Sequence, residues 1–135
     1  MIDDIVINKR SVIERCLARI NEEYRGNPDR LSNFTVQDSI ILNLQRACEA
    51  AIDLAMHIVA KKHLGIPQDS RDAFELLRKA GVLDDGVSSR LKAMVGFRNI
   101  AVHDYQSIQL EIVTSIIERN LTDFSAFVDA VGKKG

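Results

Sequence analysis

Cysteine is scarce in this chain, long apolar runs are missing and neither sign of charge dominates. Cys16 and Cys48 lie far apart at apolar positions, without the paired spacing that marks a metal site or a disulfide framework. A reducing, cytoplasmic setting is therefore expected. The opening Met1-Ile2-Asp3-Asp4 has neither the basic start nor the apolar core of a signal peptide. No apolar stretch approaches the roughly 20 residues needed to span a bilayer, so a soluble protein with no membrane partner is expected. Also missing are a glycine loop to cradle phosphates, a nucleophile elbow and a carboxylate cluster for magnesium, which sets aside the common NTPase, hydrolase and metal-nuclease plans. No metal or cofactor is expected. There is no internal repeat, linker or low-complexity tract, and 135 residues suit one domain, 1–135, with a core of its own.

The net charge of −1 argues against a general nucleic-acid coat but leaves room for a local phosphate site. Residues 61 to 103 hold eight basic side chains against five acidic ones, whereas the segments on either side are each net negative. A scatter of Lys and Arg is usually a solvated face, so the bias by itself is weak.

What is present is helical periodicity throughout and no convincing strand. Ile5, Val12, Ile13, Cys16, Leu17, Ile20 and Tyr24 recur at three- and four-residue steps, predicting an amphipathic helix over about 4 to 24 that Gly26, Asn27 and Pro28 end. Thr35, with Asp38 three positions later, reads as the start of a long second helix carrying Ile40, Ile41, Leu44, Ala47, Cys48, Ala51, Leu54, Ala55, Ile58 and Val59. Gly65 and Pro67 close it. Ser70 caps a shorter third helix with Ala73, Phe74, Leu76, Leu77 and Ala80 inward, and Gly81 stops it. A fourth starts near Asp85 and carries Val87, Leu91, Met94, Val95 and Phe97 up to Arg98. Ser107 starts a last one, with Ile112, Ile116, Leu121, Phe124, Phe127, Val128 and Val131 on one face and a loose tail from Gly132. The expected fold is all-α, an antiparallel bundle of about five helices with faces left for a second copy.

The most informative segment is Arg98-Asn99-Ile100-Ala101-Val102-His103-Asp104-Tyr105. It brings a permanent cation, a side chain that titrates near neutral pH and a phenol within eight positions, a set able to act on a phosphodiester. On one unbroken helix Arg98 and His103 would stand about 140° apart at roughly 100° per residue. Either the helix breaks or two chains share the site. Asn99 and the β-branched Ile100 and Val102 favour a break after about Asn99.

Gly96-Phe97-Arg98-Asn99-Ile100-Ala101-Val102-His103-Asp104-Tyr105 resembles the signature of HEPN-domain ribonuclease toxins, within them the HepT-like branch, whose pattern is Arg, four residues, His, any residue, Tyr. The long second helix, the Leu64-Gly65-Ile66-Pro67 turn, the Phe74-to-Leu83 segment and the Leu91-to-Met94 run extend the likeness over nearly the whole chain. The resemblance implies a metal-independent endoribonuclease that acts on RNA as a homodimer, with both copies of the motif lining an interfacial cleft. It implies membership of a HEPN/MNT toxin–antitoxin pair, type VII-like, whose minimal nucleotidyltransferase antitoxin silences the toxin by attaching AMP from ATP to Tyr105.

Such chemistry needs a base for the 2′-hydroxyl, an acid for the leaving 5′-oxygen and a cation for the phosphorane. His103 suits either proton role and Arg98 the cation, since its planar fork holds two phosphate oxygens. Asn99 either orients the phosphate or the histidine or merely ends a helix, and Tyr105 either stacks on a base or bonds a phosphate. Each residue also has a plain explanation: Arg98 as a cation complementing a helix dipole, His103 as a loop histidine, Tyr105 as an aromatic anchor. Asp53 and His57, one turn apart, read as an i,i+4 surface pair, with a second polar wall of the cleft as the alternative. His63 is given no role beyond capping carbonyls. The alternative function is a non-catalytic helical partner that binds a nucleotidyltransferase and its nucleotide or substrate.

Overall fold

In the computed structural model, which describes residues 3–134, the described residues are helical or in short connections, with no strand. The helices are α1 (Asp4–Tyr24), α2 (Phe34–Lys61), α3 (Ser70–Lys79), α4 (Asp85–His103), α5 (Leu110–Ser115) and α6 (Leu121–Lys134). Short 3₁₀ turns cover Pro28–Ser32 and Tyr105–Ser107, and a π-helical segment, Ile116–Asn120, joins α5 to α6 into one rod. Counted as that rod, the bundle has the expected five members. The tail expected to loosen from Gly132 lies partly outside the described residues, at Gly135.

The organising element is α2, roughly 42 Å long at 1.5 Å per residue, packed by α1, α3, α4 and α6. Ile40, Leu44, Ala47, Leu54, Ala55 and Ile58 are wholly buried on it. The alanines let neighbouring helices approach closely, and Phe74 and Phe127 meet edge to face with centroids 5.6 Å apart. Cys16 and Cys48 are free and buried in this core.

Several boundaries differ from the sequence reading. Asn33, not Thr35, starts α2, its side chain accepting from the Val36 N–H at 3.2 Å. Asp69 rather than Ser70 caps α3, accepting from Asp72 N–H at 2.8 Å and freeing the Ser70 hydroxyl. His63, at φ 54°, is the left-handed residue that ends α2, before Gly65 is reached. Leu64 N–H then donates back to Val59 carbonyl at 3.0 Å, as a helix-terminating turn requires. Gly65 serves the packing instead: a Cβ there would lie 3.2 Å from the Leu76 side chain. Leu76 is only partly buried, and Ala80 is exposed. At the chain start Ile5 is exposed, while its neighbour Val6 packs against the core.

Two corrections bear on function. No break follows Asn99; α4 runs unbroken to His103, and Asp104 N–H donates to Ile100 carbonyl at 2.8 Å. Burial of Ala101 against the core holds that turn despite weak local propensity. The last helix begins at Leu110, not Ser107, whose hydroxyl donates to Asp104 at 2.5 Å within the 3₁₀ turn. The π segment shifts the rotational register, so Val113, Ile116 and Ile117 face inward while Ile112 is 48% exposed.

Candidate active site

Unbroken α4 sends Arg98 and His103 in different directions, about 140° apart around the axis. Arg98 lies on the core-facing side, half-buried between α2 and the start of α3. Its Nη2 donates to Ser70 Oγ at 3.4 Å, while its Nε is buried without a hydrogen-bond partner. Burial pushes the nearby Cys48 thiol up to about 12, with Arg98 opposing the rise. Asn99 and His103, four residues apart, share the flank of α4 that also carries Lys92 and Gly96. His103 is exposed at the last position of the helix and has no hydrogen bond or ion pair among the described residues.

Tyr105 stands in the following 3₁₀ turn, 41% exposed, and its hydroxyl donates to the Asp38 carboxylate on α2. Partial burial, then the Asp38 hydrogen bond and charge, raise the phenol to about 12. Beside it runs an open groove of about 400 Å³ lined by Asp38, Ile41, Leu42, Gln45 and Tyr105. On the other flank of α4 an apolar trough of about 390 Å³ is bounded by Phe97, Ile100, Ile108, Ile112 and Ile116.

Among the described residues, four of the eight basic residues in the positive segment of the sequence meet an acid in the fold. Lys61 meets Asp3 at 2.9 Å, Arg78 and Lys92 meet Glu75 at 2.5 Å, and Arg90 meets Asp123 at 2.8 Å. Among the described residues Arg98 has no such acid. His57 pairs with Asp3 at 2.7 Å rather than with Asp53, which meets Lys9 of α1 at 3.1 Å. The expected i,i+4 pair is thus replaced by two ties between the first two helices, because α1 lies along that face of α2. Asp3 is held well below the usual carboxylate range by His57 and Lys61. Sequence reasoning missed Ser70 and Asp38 as partners of the motif, having read both as helix-start residues; nothing local marks a contact across 28 or 67 positions.

A family model described as ribonuclease HepT-like matches residues 13–131. The chain belongs to the HepT-like ribonuclease family. A Shewanella oneidensis protein named mRNA nuclease HepT is 50% identical over 129 residues, covering 96% of this chain and 97% of that one. An Aphanizomenon flos-aquae protein named tRNA nuclease HepT is 30% identical over 129 residues, covering 94% and 88%. Among solved structures, a tri-AMPylated Shewanella oneidensis HEPN toxin in complex with an MNT antitoxin aligns with a TM-score of 0.92 at 49% identity, over 98% of this chain and 99% of that one. The HepT-like chain therefore shares with it the all-helical fold read from periodicity. No described helix is long and apolar enough to cross a membrane.

Proposed function

We propose that this chain is the toxin of a HEPN/MNT toxin–antitoxin pair, acting in the cytoplasm as a homodimeric, metal-independent endoribonuclease on tRNA or mRNA. Membership of the HepT-like family and relatives named as mRNA and tRNA nucleases support RNA cleavage. One observation carries the shared-site reading: α4 is continuous through His103, so Arg98 and His103 of one chain diverge. A second chain brings the complementary pair together. Exposed Ile100, Val102 and Ile112, next to the motif, supply apolar surface for that contact.

In the shared cleft Arg98 holds the non-bridging oxygens of the scissile phosphate and stabilises the phosphorane. One His103 takes the 2′-hydroxyl proton and the other protonates the leaving 5′-oxygen, giving a 2′,3′-cyclic phosphate and a 5′-hydroxyl. Asn99, on the same helical flank as His103, orients the phosphate or the imidazole. The partner is a minimal nucleotidyltransferase that attaches AMP to Tyr105, setting a bulky anion beside the cleft.

The test is cleavage of total RNA and tRNA in excess EDTA by the unmodified protein. Wild type cuts and leaves cyclic phosphates, whereas His103→Ala is slower by roughly 10²–10⁴, the usual worth of a positioned acid or base. In refolded mixtures of wild-type and His103→Ala chains, activity should fall as the square of the wild-type fraction, since one cleft needs His103 from both chains. A fall linear in that fraction sinks the shared site. If wild type cuts nothing although Tyr105 is unmodified by mass spectrometry, the chain is instead a non-catalytic helical partner of the nucleotidyltransferase.

A further inference from the structure

Tyr105 could have pointed freely into solvent from its short 3₁₀ turn, yet its hydroxyl is tied to one acid from a distant helix. Asp104, its neighbour in sequence, is already engaged by the Ser107 hydroxyl at 2.5 Å. Asp38 is the carboxylate that accepts from the phenol, and no ion pair or capping hydrogen bond employs it among the described residues. Its position on α2 is rigid, one turn below the buried Ile41. The adjoining groove leaves the other side of the phenol open to an approaching nucleotide.

Resting on the reading of Tyr105 as the acceptor of AMP, we propose that Asp38 is the catalytic base of that modification, a group the toxin itself contributes to its own silencing. In the first transfer Tyr105 Oη attacks the α-phosphorus of ATP held by the nucleotidyltransferase. The new O–P bond forms as the bond to pyrophosphate breaks, pyrophosphate leaves with the electron pair, and the phenolic proton passes to Asp38 along the existing hydrogen bond. The products are a tyrosyl-AMP phosphodiester and pyrophosphate, and Asp38 later returns its proton to water. Because the phenol is raised to about 12, little phenolate exists beforehand, so the proton must leave during the attack. Once modified, the oxygen has no proton to donate, and the new phosphodiester anion faces the Asp38 carboxylate. Like-charge repulsion then drives the modified tyrosine off α2 toward the His103 end of α4.

The experiment follows AMP incorporation from labelled ATP by the purified nucleotidyltransferase into wild type, Asp38→Asn, Asp38→Glu and Tyr105→Phe. Asp38→Asn can still accept the hydrogen bond but cannot keep the proton. It should lose about 10²-fold in the rate at saturating toxin, with little change in the half-saturating toxin concentration. Asp38→Glu should recover much of that loss. The gap between wild type and Asp38→Asn should narrow as pH rises from 7 to about 10, where the phenol begins to ionise unaided. Equal rates for wild type and Asp38→Asn, or a gap that stays constant with pH, overturn the role of Asp38. Equal incorporation into Tyr105→Phe and wild type overturns instead the underlying assignment of Tyr105, and the proposal with it. Matching melting curves for the variants exclude a folding defect as the cause.

Discussion

The first three turns of α4 and the stretch from Arg98 to His103 handle charge in opposite ways. At the start, Asp84 caps the helix by accepting from Val87 N–H at 2.8 Å, Asp85 meets Arg78 at 3.3 Å, and Arg90 and Lys92 each have an acid within 2.8 Å. At the end, Arg98 has a buried Nε without a partner, and His103 stands in solvent with none among the described residues. The paired charges lock α4 to α3 and α6. Arg98 keeps one long hydrogen bond, to Ser70 of α3, and a buried donor without an acceptor, as its Nε is, typically costs about 1–3 kcal/mol. That contrast is what motivates the proposal that Arg98 serves the reaction rather than the fold.

Arg98→Met tests that contrast most severely. It removes the fork proposed to grip phosphate and, with it, the unsatisfied Nε, while keeping a long apolar stem in the same space. Cleavage in EDTA should fall by about 10²–10³, as when a transition-state donor is lost. The thermal midpoint should stay level or rise, an exchange of function against stability. A drop in the midpoint with activity retained would reverse the assignment. At the other end of α4, Asp84→Ala should show the converse: about 1 kcal/mol less stability in urea unfolding for a lost cap, with RNA cleavage at the wild-type level. Similar activity losses in both variants would erase the distinction.

The smallest effect concerns Glu75, which joins Arg78 and Lys92 and is lowered to about 2 by hydrogen bonds from those two cations. A carboxylate whose folded value is depressed adds stability above its unfolded value and loses it as pH falls toward the folded one. The Glu75 contribution is therefore complete above about pH 4.5 and fades between there and about pH 2. Midpoints of wild type and Glu75→Gln should differ at pH 7 and converge near pH 2. A difference that persists in acid would mean that Glu75 acts through packing rather than charge.

Much of this protein was legible before any coordinates. Apolar spacing located α1, α2 and α3 to within a few residues, because an amphipathic stripe must face a core wherever the chain goes. The resemblance first noticed at Arg98, His103 and Tyr105 pointed to the HepT-like family, whose model matches residues 13–131. Misread were the places where packing overrules local preference. Asn99 and its β-branched neighbours weaken a helix, but burial of Ala101 carries α4 past them. The π segment rotates Ile112 out of the apolar face in which simple periodicity had put it.

By itself, then, the sequence determined the all-helical class, the family and most of the buried stripes, since these follow from side chains and their local spacing. Only the tertiary structure decided which cations meet an acid, that Arg98 and His103 leave the helix in different directions, and that Tyr105 rests on Asp38. Those relations join residues 28 to 67 positions apart, or depend on the continuity of a turn. Distances of that kind exist only once a shared core has brought the helices together.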